Sequence, residues 1–502
     1  MKSILVFGAG KSATCLIEYL VNETQKYQWN LIVADGNLHL AQSKIGNVSH
    51  AKAVQADVEN ETQRQQLINN ADLVISLLPP HLHFLVAKDC VVFNKNLLTA
   101  SYCDDAMRSL QASIEEKKLF FLCEMGLDPG IDHMSAMQII DAIRKESGTI
   151  TSFRSHCGGL VAPESDDNPW HYKISWNPRN IVQAGMAGAS FKEKGITKKL
   201  AYEELFDANR VVDIEELGYL AWYPNRDSLS YVPLYHLDDA QTFVRTTLRY
   251  PEFCFGWKNV IDLKLTDETV QYNTDGMTLQ QFFQQHLTQY GFSDWVEKQL
   301  TERFSRTKEL LEKLQQLLEA EETADEVGKK EMQDFMVIDD KGELMDINLD
   351  AVKTKAAATV AGQMHEANLS MKQLFFLGMD DDKTTIDKGM CSALDVLQFA
   401  VERKLALMPE DKDMIVMLHE FEYEIQGKKY TTNSSLIVKG KDNLRTAMAQ
   451  TVGLPLGIAA KLILLGKINL TGLHIPVVKE IYDPVLKELE ENGIIFNEKT
   501  IS

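Results

Sequence analysis

The sequence predicts an α/β protein. It reads as a Rossmann dinucleotide-binding domain plus an α/β substrate and dimerisation domain that carries a helical insertion. Three observations predict this. Short apolar runs alternate with helical stretches over about the first 125 residues, the pattern of βαβ units and a parallel sheet covered on both faces. A G-x-G-x-x-A string joins the first apolar run to the first helical stretch. Beyond Met125-Gly126-Leu127-Asp128-Pro129-Gly130 the texture changes to longer strands and irregular segments rich in Gly, Pro, Asn and Trp.

Taken in order, Ile4 to Phe7 is the first strand, Gly8-Ala9-Gly10 the turn and Ser12 to Val21 the first helix. Leu31 to Ala34, ending in Asp35, is the second strand; Ala51 to Ala56, ending in Asp57, is the third. Leu73 to Ser76 is stopped by Pro79-Pro80, and Leu97 to Ala100 and Leu119 to Leu122 are the fifth and sixth. A helix is expected from His133 to Lys145 and a strand over Thr151 to Cys157. Charged helical patterns, such as Lys308 to Leu314, fill about Leu279 to Phe335, and a second helical block runs from about Ala351 to Leu405. Met414 to Glu424 and Lys429 to Val438 read as antiparallel strands around Gln426-Gly427, a return to a sheet begun earlier. Thr446 to Leu465 is an apolar helix suited to burial against another domain or subunit. The expected domains are 1–126, then 127–265 with 410–502, with 266–409 as the helical insertion; the C-terminal helix is placed back against the Rossmann domain.

The 502 residues carry 52 Lys and Arg against 72 Asp and Glu, a net charge of −20, which argues against nucleic acid or an anionic membrane as partner. No apolar stretch was read as reaching the about 20 residues of a bilayer span, and the opening residues run into a strand without a leader pattern. The seven cysteines are scattered and form no C-x-x-C pair, so reduced thiols and a cytoplasmic location are expected, and no metal site.

In the glycine turn, Gly8 permits the tight bend, Gly10 lets the pyrophosphate approach the backbone, and Ala13 allows close helix–sheet packing. Lys11 and Ser12 open the helix whose N-terminus faces the phosphates. Asp35 stands about 20 residues further on, where a carboxylate binds the ribose hydroxyls and repels a 2′-phosphate. That reading favours NAD, with NADP as the alternative. Asp57 and Val58 are placed near the adenine, and Ser76 and Leu77 beside the nicotinamide half.

Several long strings then point to a family: T-A-S-Y at 99–102, G-L-D-P-G-I-D-H at 126–133, H-C-G-G-L-V-A-P-E at 156–164, N-P-W-H-Y-K-I-S-W-N-P-R at 168–179, Y-P-N-R-D-S at 223–228 and T-L-R-Y at 247–250. On these the chain resembles the saccharopine dehydrogenase (L-glutamate-forming) family, also called saccharopine reductases, and the matching half of aminoadipate semialdehyde synthase. The resemblance is dense in the first half and thins over the helical region. It implies a nicotinamide-dependent oxidoreductase interconverting saccharopine with L-glutamate and aminoadipate semialdehyde, working as a homodimer in lysine metabolism.

A substrate with three carboxylates needs local cations inside an acidic protein. Arg226 and Arg249, on the matching strings, are the expected forks, with Lys173 and Arg179 assisting. Ser101, Tyr102 and Thr247 would add neutral hydrogen bonds, and Trp176 would wall the site. Imine chemistry needs proton transfer, for which Asp128, Cys157 and Tyr102 are the candidates; Cys157 either lines the pocket or shuttles a proton. Thr99, Ala100, Leu127, Asp128 and Pro129 complete the expected cofactor-facing set, while His133 and His156 are read as local hydrogen-bonding groups. Lys11 departs from the family's usual aromatic residue, Thr246 replaces a glycine, and this chain lacks the basic residue that the NADP-using fungal enzymes have near the place of Asp35. Two other readings remain: an enzyme for another carboxylated secondary amine, such as a carboxy-polyamine, and a nicotinamide-binding protein without turnover.

Overall fold

A computed structural model describes residues 1–294 and 368–502, together with the backbone of two strands at 335–338 and 344–347. The charged pattern at Lys308 to Leu314 lies outside the described residues. Strands are numbered β1–β20 along the chain. The chain divides into two compact units, one of Met1–Asp167, His171–Cys254 and Leu405–Ser502, the other of Asn168–Trp170 and Phe255–Lys404.

The first unit opens with a parallel sheet built from β1 (Ser3–Phe7), β2 (Asn30–Asp35), β3 (Ala51–Gln55), β4 (Leu73–Ser76), β5 (Asn96–Thr99) and β6 (Phe120–Leu122). Their order is β6-β5-β4-β1-β2-β3, the doubly wound arrangement whose strand ends form a crevice. The runs read from the sequence are these strands; β1, β4 and β6 are buried throughout, as in a sheet covered on both faces, whereas edge strand β3 has no fully buried residue. A seventh strand was not foreseen. The chain returns with β19 (Gly472–His474) to pair in parallel with β6.

The rest of this unit is a nine-stranded sheet. It contains β7 (Thr149–Val161), β8 (Ala189–Glu193), β9 (Ile196–Leu200), β10 (Val211–Ile214), β11 (Gly218–Pro224), β12 (Thr242–Arg249), β17 (Asp413–Ile425), β18 (Lys428–Lys439) and β20 (Asn497–Ile501). The main path runs β10-β11-β12-β7-β17-β18-β20, with the β8–β9 hairpin joined at β12. The expected hairpin is present as β17 and β18, turning at Gln426 and Gly427, both with positive φ. Its first strand returns to pair with β7 across some 250 residues of intervening chain. The two end strands are brought together: Lys499 on β20 bonds Glu215, just past β10, at 2.6 Å. The sheet therefore rolls around an apolar interior of Leu160, Ile214, Leu220, Leu248, Met414 and Val416.

Alternation along β12 decides what faces where. Val244, Thr246 and Leu248 point to one side; Phe243, Arg245, Thr247 and Arg249 point to the other. The second side carries the main core, with Phe153, Met417 and Phe421 packed against the helix Ile131–Lys145.

Helix Ala447–Leu464 is apolar enough by composition to cross a membrane, but 83% of it is buried inside the protein. It lies against helix Thr14–Tyr27 of the dinucleotide domain. Gly453 makes this possible, since a Cβ there would stand 2.8 Å from the backbone nitrogen of Leu16. Buried Asp413 caps its first turn, accepting the N–H groups of Ala447 and Met448.

The second unit contains helices Leu279–Gln289 and Ala393–Lys404 and a helical stretch through 368–376. Its two-stranded ladder pairs β13 (Tyr272–Asn273) with β16 (Met390–Cys391). The strands at 335–338 and 344–347, β14 and β15, pair antiparallel in the interval between the two stretches read as helical from the sequence. Trp257, Tyr272 and Phe282 are fully buried here, and the Tyr272 hydroxyl bonds His286 Nδ1 at 2.7 Å.

Candidate active site

The dinucleotide end is built by the turn after β1. Gly8 has φ +99°, and a Cβ there would overlap the Leu77 carbonyl, so only glycine fits. A Cβ on Gly10 would meet nothing within 4 Å, which leaves open space where a pyrophosphate approaches the backbone. Lys11 and Ser12 follow in a 3-10 turn and Ala13 is fully packed. The residues present therefore fit a dinucleotide, with the backbone N–H groups of this turn and helix as the phosphate donors. Substituting Gly8 by alanine is expected to weaken binding of the reduced dinucleotide roughly 5- to 150-fold by fluorescence titration, since strain of about 1–3 kcal/mol falls on the turn.

Asp35 ends β2 as expected, but its carboxylate is engaged by backbone: Oδ2 accepts Ala9 N–H at 2.7 Å and Oδ1 accepts Asn37 N–H at 2.8 Å. Lys44 stands beside it, its ammonium on the Gly10 carbonyl and on Thr14 Oγ1. Burial pulls the Lys44 ammonium down to about 8. Asp57 is exposed and accepts Glu59 N–H, while Val58 is buried and its carbonyl takes Arg64.

Ser76, Thr99 and Ser101 are brought together by a residue the sequence did not single out. His83 Nδ1 bonds Ser76 at 2.8 Å and its Nε2 bonds Ser101 at 2.7 Å, with Thr99 at 3.5 Å. Burial holds this imidazole near 4, so it is neutral. Ala100 and Tyr102 flank these groups, and Leu77 and Leu127 pack into the adjoining core.

The chemical centre forms where the segment 124–133 meets β12. Asp128 precedes a cis bond to Pro129, which is buried. One guanidinium nitrogen of Arg245, Nη2, lies 2.6 Å from Asp128 Oδ1 and 2.7 Å from Asp132 Oδ2. Asp132 Oδ1 also accepts Gly130 N–H at 2.6 Å. Arg245 stacks 4.3 Å over Tyr231, whose hydroxyl donates to Glu124. Glu124 in turn bonds His133 Nε2 at 2.8 Å, and His133 Nδ1 meets Tyr235 at 2.5 Å. Burial raises Asp128 to about 6, with the Asp132 charge adding to this and Arg245 opposing it. Burial also pushes on Asp132, but His133, Arg245 and the Gly130 N–H outweigh it and hold this carboxyl below its usual range.

Arg226 is exposed and lies 5.3 Å over the Tyr102 ring. Arg249 is 4% exposed, between the faces of Tyr172 and Phe253 at 5.2 and 5.4 Å. Its Nη1 donates to the carbonyls of Leu248 and Gly159, while its Nε finds no acceptor among the described residues. Trp176 donates to the Tyr172 hydroxyl at 3.1 Å and so backs this pocket. Thr247 and Cys157 are neighbours in the β12–β7 register. Burial, and next the Asp128 and Asp132 charges, push the Cys157 thiol far up, so it keeps its proton.

One expectation is corrected. Lys173 is no substrate ligand, because it is buried between Asp167 at 2.9 Å and Asp411 at 2.7 Å. His156 has the local hydrogen-bonding role read for it, tied to Thr246 and Glu420 on the opposite face of the sheet from Cys157. Arg179 occupies the short helix Pro178–Val182. Arg245, Asp132 and Glu124 were missed.

The family model for the saccharopine dehydrogenase C-terminal domain matches residues 126–494, and that for its NADP binding domain matches 4–122. The chain belongs to the saccharopine dehydrogenase family. It is 31% identical to saccharopine dehydrogenase [NADP(+), L-glutamate-forming] of Saccharomyces cerevisiae over the whole of both chains. It is also 31% identical to mitochondrial alpha-aminoadipic semialdehyde synthase of Mus musculus, over 99% of this chain and 47% of that one. The solved apo saccharopine dehydrogenase (L-Glu forming) from Saccharomyces cerevisiae superposes with a TM-score of 0.77 at 28% identity, covering all of both chains. These likenesses do not support the preference for NAD drawn from Asp35; the matched domain and the fungal relatives carry NADP in their names. The physical reason lies in the turn, where both Asp35 oxygens already hold backbone N–H groups and a lysine stands alongside.

Proposed function

We propose that this protein interconverts saccharopine with L-glutamate and aminoadipate semialdehyde, with NADP(H) as the nicotinamide cofactor. The observation that carries the substrate class is Arg249. A buried guanidinium with no carboxylate partner among the described residues is costly unless an anion completes it. Arg226, exposed over Tyr102, offers a second fork, so β12 and the loop after β11 each supply a cation for an anionic amino acid.

A bound nicotinamide supplies the acceptor or donor of hydride. The chain's own groups handle the protons. Asp128 Oδ2 takes the proton from the substrate's secondary amine during oxidation and returns one to the imine nitrogen in reduction. In the oxidative direction the resulting C=N bond then adds water, and the carbinolamine collapses with cleavage of its C–N bond, the hydroxyl proton passing to the departing nitrogen, to give glutamate and the semialdehyde. The Tyr102 phenol and Cys157 thiol both keep their protons because they are buried, and they serve as neutral donors lining the site. Arg249, Trp176 and Tyr172 fix the carboxylate end, which aligns the reacting carbon with the nicotinamide pocket.

The test follows reduced-nicotinamide absorbance with saccharopine and each of NADP and NAD. Reduction on adding saccharopine, with kcat/KM higher for NADP, is the expected result. Activity with NAD alone would overturn the assignment of NADP(H) as the cofactor. No reduction with saccharopine, but turnover with a carboxylated polyamine, would overturn the substrate assignment. Cofactor binding without turnover of either would favour a binding protein.

A further inference from the structure

Two carboxylates four residues apart share one guanidinium nitrogen, and their surroundings differ sharply. Asp132 is 1% exposed and both its oxygens are taken, by Gly130 N–H and by Arg245. Asp128 is partly open, and only its Oδ1 is bonded among the described residues. One acid is thus locked into the framework, and the other keeps an oxygen without a bonding partner among the described residues. Paired carboxylates whose environments differ in this way divide the work of holding charge and moving protons.

We propose that Asp132 and Arg245 are positioning residues that set when Asp128 gives up its proton, Asp132 as a fixed negative charge and Arg245 as the cation the two carboxylates compete for. The inference rests on the assignment of Asp128 as the proton-transfer group. Other groups face Asp128 from each surrounding element: His133 from the same helix as Asp132, Arg226 from the loop after β11, Tyr102 from the segment after β5 and Cys157 from β7. Among the described residues, Asp132 is the other carboxylate that Arg245 bonds. Arg245 is itself held, by Tyr231 beneath its plane and by Ser228 Oγ on its backbone N–H at 3.0 Å. Glu124 in turn accepts the Tyr231 hydroxyl and bonds His133, which ties the ring under Arg245 to the helix that carries Asp132.

The directions follow from charge. Asp132→Asn removes a negative neighbour and leaves Arg245 to Asp128 alone, so both changes favour the Asp128 carboxylate. Arg245→Lys gives up the fixed planar fork and weakens the hold on Asp128, favouring its protonated form. For saccharopine oxidation, which needs the carboxylate, the acid limb of the pH–kcat profile is expected to move down by about one unit in D132N and up in R245K. A purely structural role would lower kcat at every pH and leave the limb in place, and that result would overturn the proposal. Thermal midpoints of both variants confirm that the folded enzyme is being read, and R245K is the milder change if D132N is unstable. Asp128→Asn separates the two levels. If that variant keeps the wild-type acid limb, the proton-transfer assignment itself fails. If it abolishes the limb while D132N and R245K leave it unmoved, only the positioning pair fails.

Discussion

Replacing Arg249 by methionine is expected to lower kcat/KM for saccharopine by roughly 30- to 5,000-fold, corresponding to the about 2–5 kcal/mol lost when one partner of a buried charged pair is removed. The effect should fall chiefly on KM, since the guanidinium grips a carboxylate that does not react. Methionine fills much of the same volume between Tyr172 and Phe253, so the aromatic walls keep their packing while the charge and its donors are lost. NADPH binding, measured separately by fluorescence, should be unchanged, because Arg249 lies at the end of β12 and the glycine turn follows β1. Arg249→Lys should recover part of the loss, because charge returns without the bidentate fork. Methionine leaving kcat/KM within threefold of wild type would mean that the empty Nε position is not a carboxylate site.

How much of this was legible in the sequence depended on whether neighbours in space were also neighbours in the chain. Strands β1 to β6 were placed within a residue or two because each is a short apolar run closed by a turn residue, and nothing distant decides them. β19 was not, since Gly472–His474 has no strand pattern of its own and becomes a strand only by finding the open edge of β6. The β17–β18 hairpin announced itself through Gln426-Gly427, and its return to an earlier sheet was readable because the helical pattern between is self-contained.

The site divides along the same line. Motif strings pointed to Asp128, Cys157, Arg226 and Arg249, and the structure places Cys157 one strand from Thr247 and Arg226 over Tyr102. Arg245 was within reach of a simple argument that was not applied. If Thr247 and Arg249 face the substrate from a strand, period-two alternation puts Arg245 on the same face. Glu124 and Asp132 gave no such signal, because their meaning comes from His133, Tyr231 and Arg245 arriving from elsewhere. Lys173 shows the opposite error. It lies on a matching string, yet two aspartates, one of them from a segment more than 200 residues away, had already claimed it.

Asp128→Asn is the second large effect expected, and it reads the chemistry directly. An amide is nearly the same shape, so Arg245 can still donate to its oxygen, but it cannot take a proton. Loss of a positioned proton-transfer group typically costs 10²–10⁴-fold, so kcat should fall by about that much in both directions of the reaction. The pH dependence carries the sharper information. Burial first, and Asp132 next, raise this carboxyl to about 6 against the pull of Arg245. Saccharopine oxidation needs the deprotonated form and should decline as pH falls through about 6. Imine reduction needs the protonated form, so its rate should decline as pH rises through the same value. One group thus predicts limbs of opposite sign for the two directions, and the asparagine variant should flatten both. The thiol of Cys157 cannot imitate this, because burial and the two neighbouring carboxylates keep it protonated well beyond that range. Full-rate turnover by the variant, or limbs that persist unchanged in it, would move the proton-transfer role away from Asp128.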